Sequence, residues 1–170
     1  FKGVNTLIHE SAHAFMAFVL KAEVLSVELF SNNSGIAISR TSSKLKSFLI
    51  SIIGYTFSSA FAYFMFYLLK INKPDYILYI LISISIINLI LWIRNKYGYF
   101  WIITFTTINI LIYIYANPEY RFIYLTFIST LLLSESILSS FIILVISLTK
   151  PSTSGDSNNL KQLTYIPAFI

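Results

Sequence analysis

Long apolar runs separated by short polar connections constrain this chain more than any other feature. Residues 48–69 carry no charge over 22 positions, and comparable runs cover 76–93, 99–115 and 122–148. A helix needs about 20 apolar residues to cross the hydrocarbon core of a bilayer. Only 11% of the residues are charged, whereas about 25% are charged in an average soluble domain. The chain is therefore predicted to be a membrane protein, and an ordinary soluble enzyme is excluded.

A fifth apolar stretch, residues 4–20, opens the chain. The run at 122–148 has 27 residues, which as a single helix exceeds the thickness of the apolar slab, and a Ser-Glu-Ser sequence interrupts it at 134–136. We expect a break or tilt at that point and five to six transmembrane helices in total. Because Phe1 rather than Met begins a pattern that is already helical, we expect further residues of the first helix upstream.

Two segments have signals of structure outside the spans. Residues 24–30 and 35–39 are rich in β-branched side chains and flank a Ser-Asn-Asn-Ser turn at 31–34, which predicts a β-hairpin. In the tail, Asp156 follows a Pro-Ser-Thr-Ser-Gly loop and opens a short predicted helix. The expected fold is an all-α polytopic membrane protein with a small β-hairpin after the first helix, with residues 1–170 forming a single domain.

The motif with the clearest chemistry lies inside the first apolar stretch. His9-Glu10-Ser11-Ala12-His13 is an HExxH sequence, and its histidines are the only two in the chain. Positions i and i+4 share one face of a helix, where two imidazoles can bind one Zn²⁺ at about 2.0 to 2.1 Å. The carboxylate between them can take a proton from water at the metal. We therefore predict Zn²⁺ as cofactor, His9 and His13 as ligands and Glu10 as general base.

A catalytic zinc needs a third protein ligand, and in a chain without cysteine only carboxylates remain. Glu135 interrupts an apolar run, and an intramembrane carboxylate is functional by default. Asp156 has the sequence position of a helix N-cap, which is a structural role. The remaining four candidates lie on the predicted hairpin or between spans, where we interpret them as solvated, turn or interface residues: Glu23, Glu28, Asp75 and Glu119. These arguments leave Glu135 and Asp156 open.

Several separate stretches carry a family resemblance. Residues 7–15 read Leu-Ile-His-Glu-Ser-Ala-His-Ala-Phe, the predicted hairpin contains Ser-Gly at 34–35, and the second span contains Gly-Tyr at 54–55. The tail, residues 155–167, reads Gly-Asp-Ser-Asn-Asn-Leu, then Leu-Thr and Ile-Pro. Together these stretches resemble the site-2 protease family of intramembrane zinc metallopeptidases, in its divergent bacterial-type branch.

The resemblance implies an activity, a third ligand and a set of partners. The late Gly-Asp of the family corresponds to Asp156, which becomes the expected third zinc ligand with Glu135 in reserve. The implied substrate is a membrane-embedded or membrane-proximal protein, held extended beside the hairpin. The net charge of +5, scattered over so apolar a chain, indicates contact with the lipid bilayer and no nucleic acid partner.

Two other functions are compatible with the same residues. The chain could bind a metal and membrane segments without catalysis, as an inactive relative of a protease. It could instead be a transporter or channel component in which His9, Glu10, His13 and Glu135 form an ion or proton relay. A structural alternative is that the two histidines only hydrogen-bond neighbouring helices.

Overall fold

The computed structural model describes residues 2–149, with side chains described to residue 145. Within this range the chain forms five helices and one two-stranded antiparallel sheet, which confirms the predicted helical fold with a hairpin after the first helix. In chain order the elements are α1 (Lys2–Val19), β1 (Glu23–Leu29), β2 (Gly35–Arg40), α2 (Lys44–Lys70), α3 (Asp75–Leu91), α4 (Lys96–Tyr115) and α5 (Pro118–Thr149).

Three of the helices in this range are long and apolar enough to cross a membrane: α2, α4 and α5. Helix α3 is apolar but has only 17 residues. Helix α1 has 18 residues and carries the polar HExxH sequence at its centre. Residues 2–149 therefore contain fewer candidate spans than the five to six predicted, because apolar runs here also form helices that are short or interrupted by polar side chains.

The predicted break at the Ser-Glu-Ser sequence is wrong, since α5 continues through it for 32 residues, or about 48 Å. Ser136 is buried, and its Oγ lies 2.7 Å from Oγ of Ser59 on α2. The carboxylate of Glu135 lies 4.0 Å from Nζ of Lys2 on α1. Both polar side chains thus find partners on neighbouring helices, and the backbone of α5 has no need to open around them.

The hairpin forms where the turn chemistry predicts it, and its strands begin and end within one residue of the expected positions. The side chain of Asn32 accepts hydrogen bonds from the backbone N–H of Ser34 at 3.0 Å and from its hydroxyl at 2.6 Å. Asn33 adopts a left-handed conformation with φ of 64°, which asparagine tolerates better than most residues. Local side-chain bonding therefore closes the turn.

The hairpin folds back onto α1. The hydroxyl of Thr6 donates to the carbonyl of Asn33 at 2.8 Å, which fixes the turn against the first part of the helix. Val27 in β1 is fully buried, and its N–H donates to the carbonyl of Trp92 at 2.8 Å. One edge of β1 is thereby covered, and the outer edge of β2 has no strand partner among the described residues.

Helix α1 is central to the fold and contacts α2, α5 and both strands. Its contacts with α2 run in opposite sequence directions, from His13 near Ile50 to His9 near Tyr55, so these helices are antiparallel. Its contacts with α5 run in the same direction, so those helices are parallel. An apolar core around Ile8 holds α1, α2, α3 and α5 together. Helix α1 thus packs against five elements, α2, α3, α5, β1 and β2, which surround the HExxH sequence.

Candidate metal centre

The two histidines of α1 face each other at its contact with α2. Their Nε2 atoms are 3.0 Å apart, and their ring centroids are 4.7 Å apart at an angle of 80°. Nδ1 of His13 lies 2.6 Å from the carbonyl oxygen of Ile50. Because a carbonyl can only accept, this contact requires a proton on Nδ1, and Nε2 of a neutral His13 then presents its lone pair. The carbonyl of Ile50 thus fixes the orientation of the His13 ring, as outer partners of metal-binding histidines do.

The spacing of the two nitrogens fits a tetrahedral zinc. With bonds of about 2.0 to 2.1 Å, two ligand nitrogens on one zinc are roughly 3.3 Å apart. The observed 3.0 Å between Nε2 of His9 and Nε2 of His13 is within a few tenths of an ångström of that separation. A small opening of the two rings would therefore accommodate the ion.

Gly54 on α2 makes room for the imidazoles. A Cβ atom at this position would lie 2.5 Å from Nε2 of His13 and 2.7 Å from Nε2 of His9, closer than real Cβ contacts allow. The missing side chain therefore leaves room for Nε2 of both histidines against α2. This cradle, together with the nitrogen spacing, shows that the residues present fit Zn²⁺ at two of its coordination positions.

Glu10 lies between α1 and the hairpin and is 8% exposed. The first residue of β2, Gly35, approaches it so closely that an added Cβ would lie 2.8 Å from Cγ of Glu10 and 2.6 Å from Cγ2 of Thr6. Only glycine permits this approach. Glu10 is thereby held at the turn end of the hairpin, one residue along the helix from His9.

A cavity of about 150 Å³ opens beside these groups, large enough for several water molecules. The ring of Tyr55 borders it and meets the ring of His9 edge to face, with centroids 4.4 Å apart. The lining residues come from α1, β2, α2 and α5: Asn5, Thr6, His9, Glu10, Gly35, Tyr55 and Ser139. The cavity therefore gives the predicted base and one predicted ligand access to water.

The third ligand is not found in the described part of the chain. Among residues 2–149 no group of three or more His, Cys, Asp and Glu side chains could hold a metal ion. Glu135, the reserve candidate, is paired with Lys2 and is not brought to the histidines. Asp156, the preferred candidate, lies outside the described residues. The structure thus brings together His9, Glu10 and His13 of the predicted set.

Two of the carboxylates that were not expected to be the third metal ligand have basic partners elsewhere. Asp75, at the start of α3, accepts a hydrogen bond from Arg121 of α5 at 2.9 Å. Glu23 lies 3.8 Å from Arg40, its cross-strand neighbour in the hairpin. Both contacts agree with the structural roles expected for these two residues.

Sequence reasoning missed two contributors to this site. The carbonyl of Ile50 carries no sequence signal, because every residue offers the same group. Asn5 did carry one, since it lies four residues before His9, the same spacing that relates His9 to His13. Asn5 lies on the same face of α1 as His9 and His13, and it lines the cavity.

Comparison with known proteins identifies the family of the chain. A family model described as Peptidase M50B-like matches residues 1–170. Searches of curated proteins and of solved structures give no match. Because the family model matches the whole chain, the protein belongs to the Peptidase M50B-like family, the site-2 protease family of intramembrane metallopeptidases.

Proposed function

We propose that this protein is a zinc-dependent intramembrane protease that hydrolyses peptide bonds in or near the membrane spans of other proteins. The observation that carries the proposal is the convergence of Nε2 of His9 and Nε2 of His13 at 3.0 Å, next to Glu10 and an open cavity. The family supports the same activity. Three apolar helices support a multi-pass location in the bilayer.

The chemistry follows from the positions of the side chains. Zn²⁺, when held by His9, His13 and a carboxylate as third ligand, would polarise the scissile carbonyl and lower the pKa of the attacking water to about 7. Glu10 takes a proton from that water and later donates it to the departing amine. Burial of Glu10 keeps it against the reacting groups, while the cavity gives it contact with water. The carbonyl of Ile50 keeps the ring of His13 in place throughout.

The hairpin provides a means of holding the substrate. A transmembrane helix has its carbonyls in internal hydrogen bonds, so it must unwind before a peptide bond can be attacked. The outer edge of β2 has free backbone groups among the described residues, and β2 begins at Gly35 beside Glu10. We propose that an unwound substrate segment adds to this edge as a further strand.

Zinc analysis of a ligand variant tests the metal site. We expect the zinc content of the purified protein to fall from about one ion per chain to near zero in His13→Ala, because two remaining ligands do not hold a catalytic zinc. Inductively coupled plasma mass spectrometry measures the metal, and thermal unfolding in detergent verifies that the variant is folded. Equal zinc in the two folded proteins would contradict the assignment of the site.

A second pair of variants distinguishes the two candidates for the third ligand. We expect Asp156→Asn to lower zinc affinity by at least about 100-fold, since loss of a partner that only orients a ligand already costs about 10- to 100-fold. Glu135→Gln is the matched control and should leave zinc affinity unchanged, since Glu135 is paired with Lys2. Competition with a chelator measures both affinities. The reverse result would make Glu135 the ligand.

Cleavage is tested with synthetic single-span peptides in vesicles of phosphatidylcholine and phosphatidylglycerol. Each peptide has about 20 residues of leucine and alanine, interrupted at the centre by a different helix-breaking pair. We expect fragments, identified by mass spectrometry, from at least one peptide. Zinc binding without any cleavage would favour the inactive metal-binding protein, and ion flux that survives zinc removal would favour the transporter.

A further inference from the structure

One amide side chain beside the metal centre is buried with an unused acceptor. Asn5 lies on α1, one turn before His9, and is 8% exposed. Its Nδ2 donates a long hydrogen bond of 3.4 Å to Oγ of Ser139 on α5. Its Oδ1 has no hydrogen-bond partner within the described part of the chain. An unpaired buried carbonyl is costly, so a ligand that donates a hydrogen bond to it would be bound favourably.

The residue that carries this group lines the same cavity as the proposed base. Asn5, His9 and Glu10 all line this cavity, which extends along α1 between the hairpin and α5. Four residues of helix span about 6 Å, and an extended chain rises about 3.3 Å per residue. A peptide that follows α1 therefore presents to Asn5 a backbone group about two residues from the bond held at His9.

We propose that Asn5 binds the substrate backbone: its Oδ1 accepts a hydrogen bond from an N–H about two residues from the scissile bond. The inference rests on the proposed function. An N–H in an intact helix is already bonded to its own carbonyl partner, so only an unwound segment can satisfy Asn5. Asn5 thereby selects an extended conformation rather than a particular side chain, and proline at that substrate position is disfavoured.

Another buried amide, that of Asn109, has hydrogen-bond partners at both of its ends. Asn109 on α4 donates to the carbonyl of Phe105 at 2.8 Å, and its Oδ1 accepts from the hydroxyl of Tyr124 at 3.4 Å. Both ends of that amide are used within the helix bundle, and Asn109 is not among the residues that line the cavity. Asn109→Ala is therefore the matched control for loss of a buried amide.

The test measures binding of an uncleaved peptide. The full chain carries Glu10→Gln, is loaded with zinc and is reconstituted in the vesicles described above. Its ligand is the single-span peptide that the unmodified protein cleaves fastest. A series of these peptides has one backbone N–H at a time replaced by an ester oxygen. Fluorescence energy transfer between labelled protein and labelled peptide gives the dissociation constant.

We expect Asn5→Ala to weaken peptide binding about tenfold, with zinc content unchanged, while Asn109→Ala leaves binding unchanged. One ester position should weaken binding about tenfold when Asn5 is present and have no further effect in Asn5→Ala. Asn5→Asp retains an acceptor and should keep the sensitivity to that position. Asn5→Leu, which matches the volume of the amide, replaces Asn5→Ala in the comparison if the alanine variant does not fold.

The outcomes separate this inference from the function it rests on. If each ester peptide lost the same binding affinity in the protein with Asn5 as in Asn5→Ala, that result would show that Oδ1 of Asn5 binds no substrate N–H and would overturn the proposal. Cleavage by the unmodified protein would still support the protease in that case. A chain that binds no zinc and cleaves none of the peptides would contradict the proposed function itself.

Discussion

Replacing Glu10 by glutamine is expected to lower the rate of peptide cleavage by about 10³-fold, within the range for removal of a general base. The amide is nearly isosteric with the carboxylate but cannot take a proton from water. The proposed ligands His9 and His13 and the contact of His13 with Ile50 are untouched, so zinc binding should persist. Measurement combines initial rates on the vesicle-bound peptides with zinc content of the same preparation.

A matched substitution separates this effect from a general loss of charge. Glu119 lies in the first turn of α5 and is not among the residues that line the cavity. Glu119→Gln should therefore cleave at the rate of the unmodified protein. If Glu10→Gln retains that rate as well, Glu10 is not the base, and the proposed mechanism is wrong even if zinc is bound.

The parts of the site that could be predicted are those that depend on local spacing. His9 and His13 share a helix face because they are four residues apart, whatever the rest of the chain does. The hairpin was equally local, since Asn32 and Asn33 supply the side-chain bond and the left-handed conformation that the turn requires. Both predictions needed only a few consecutive residues.

What the sequence could not provide is the packing of distant segments. The contact of His13 with the carbonyl of Ile50 depends on the register between α1 and α2, 37 residues apart in sequence. The continuity of α5 depends on the partner that Ser59 offers to Ser136. A count of apolar runs cannot anticipate such contacts, and for the same reason it overestimated the number of spans.

The unbroken α5 also bears on the site, because it places Ser136, Ser139 and Glu135 on one helix beside α1. Ser139 lines the cavity, and Glu135, one turn earlier, is paired with Lys2. A break at this point would have freed the carboxylate to approach the histidines. In the continuous helix Glu135 is paired with Lys2 and is not brought to the histidines, and Asp156 stays a prediction that lies outside the described residues.

Gly54→Ala is expected to weaken zinc binding by about 100-fold, the upper end of the cost of losing an orienting contact. The added Cβ would lie 2.5 Å from Nε2 of His13 and 2.7 Å from Nε2 of His9. These nitrogens are the two atoms proposed to bind the ion. The carbonyl of Ile50 restrains the ring of His13, so it cannot move aside without losing that hydrogen bond.

In this variant the zinc affinity should fall while the protein remains folded. Alanine is favoured over glycine inside a helix by about 1 kcal/mol, which offsets part of the strain, so Gly54→Ala should remain folded as judged by thermal unfolding without metal. Ala60 is exposed on the same helix, and Ala60→Val is the control for added bulk on α2, with zinc affinity unchanged. Full zinc affinity in Gly54→Ala would mean that the ion is not held between His9, His13 and this face of α2, because no space for it would remain there.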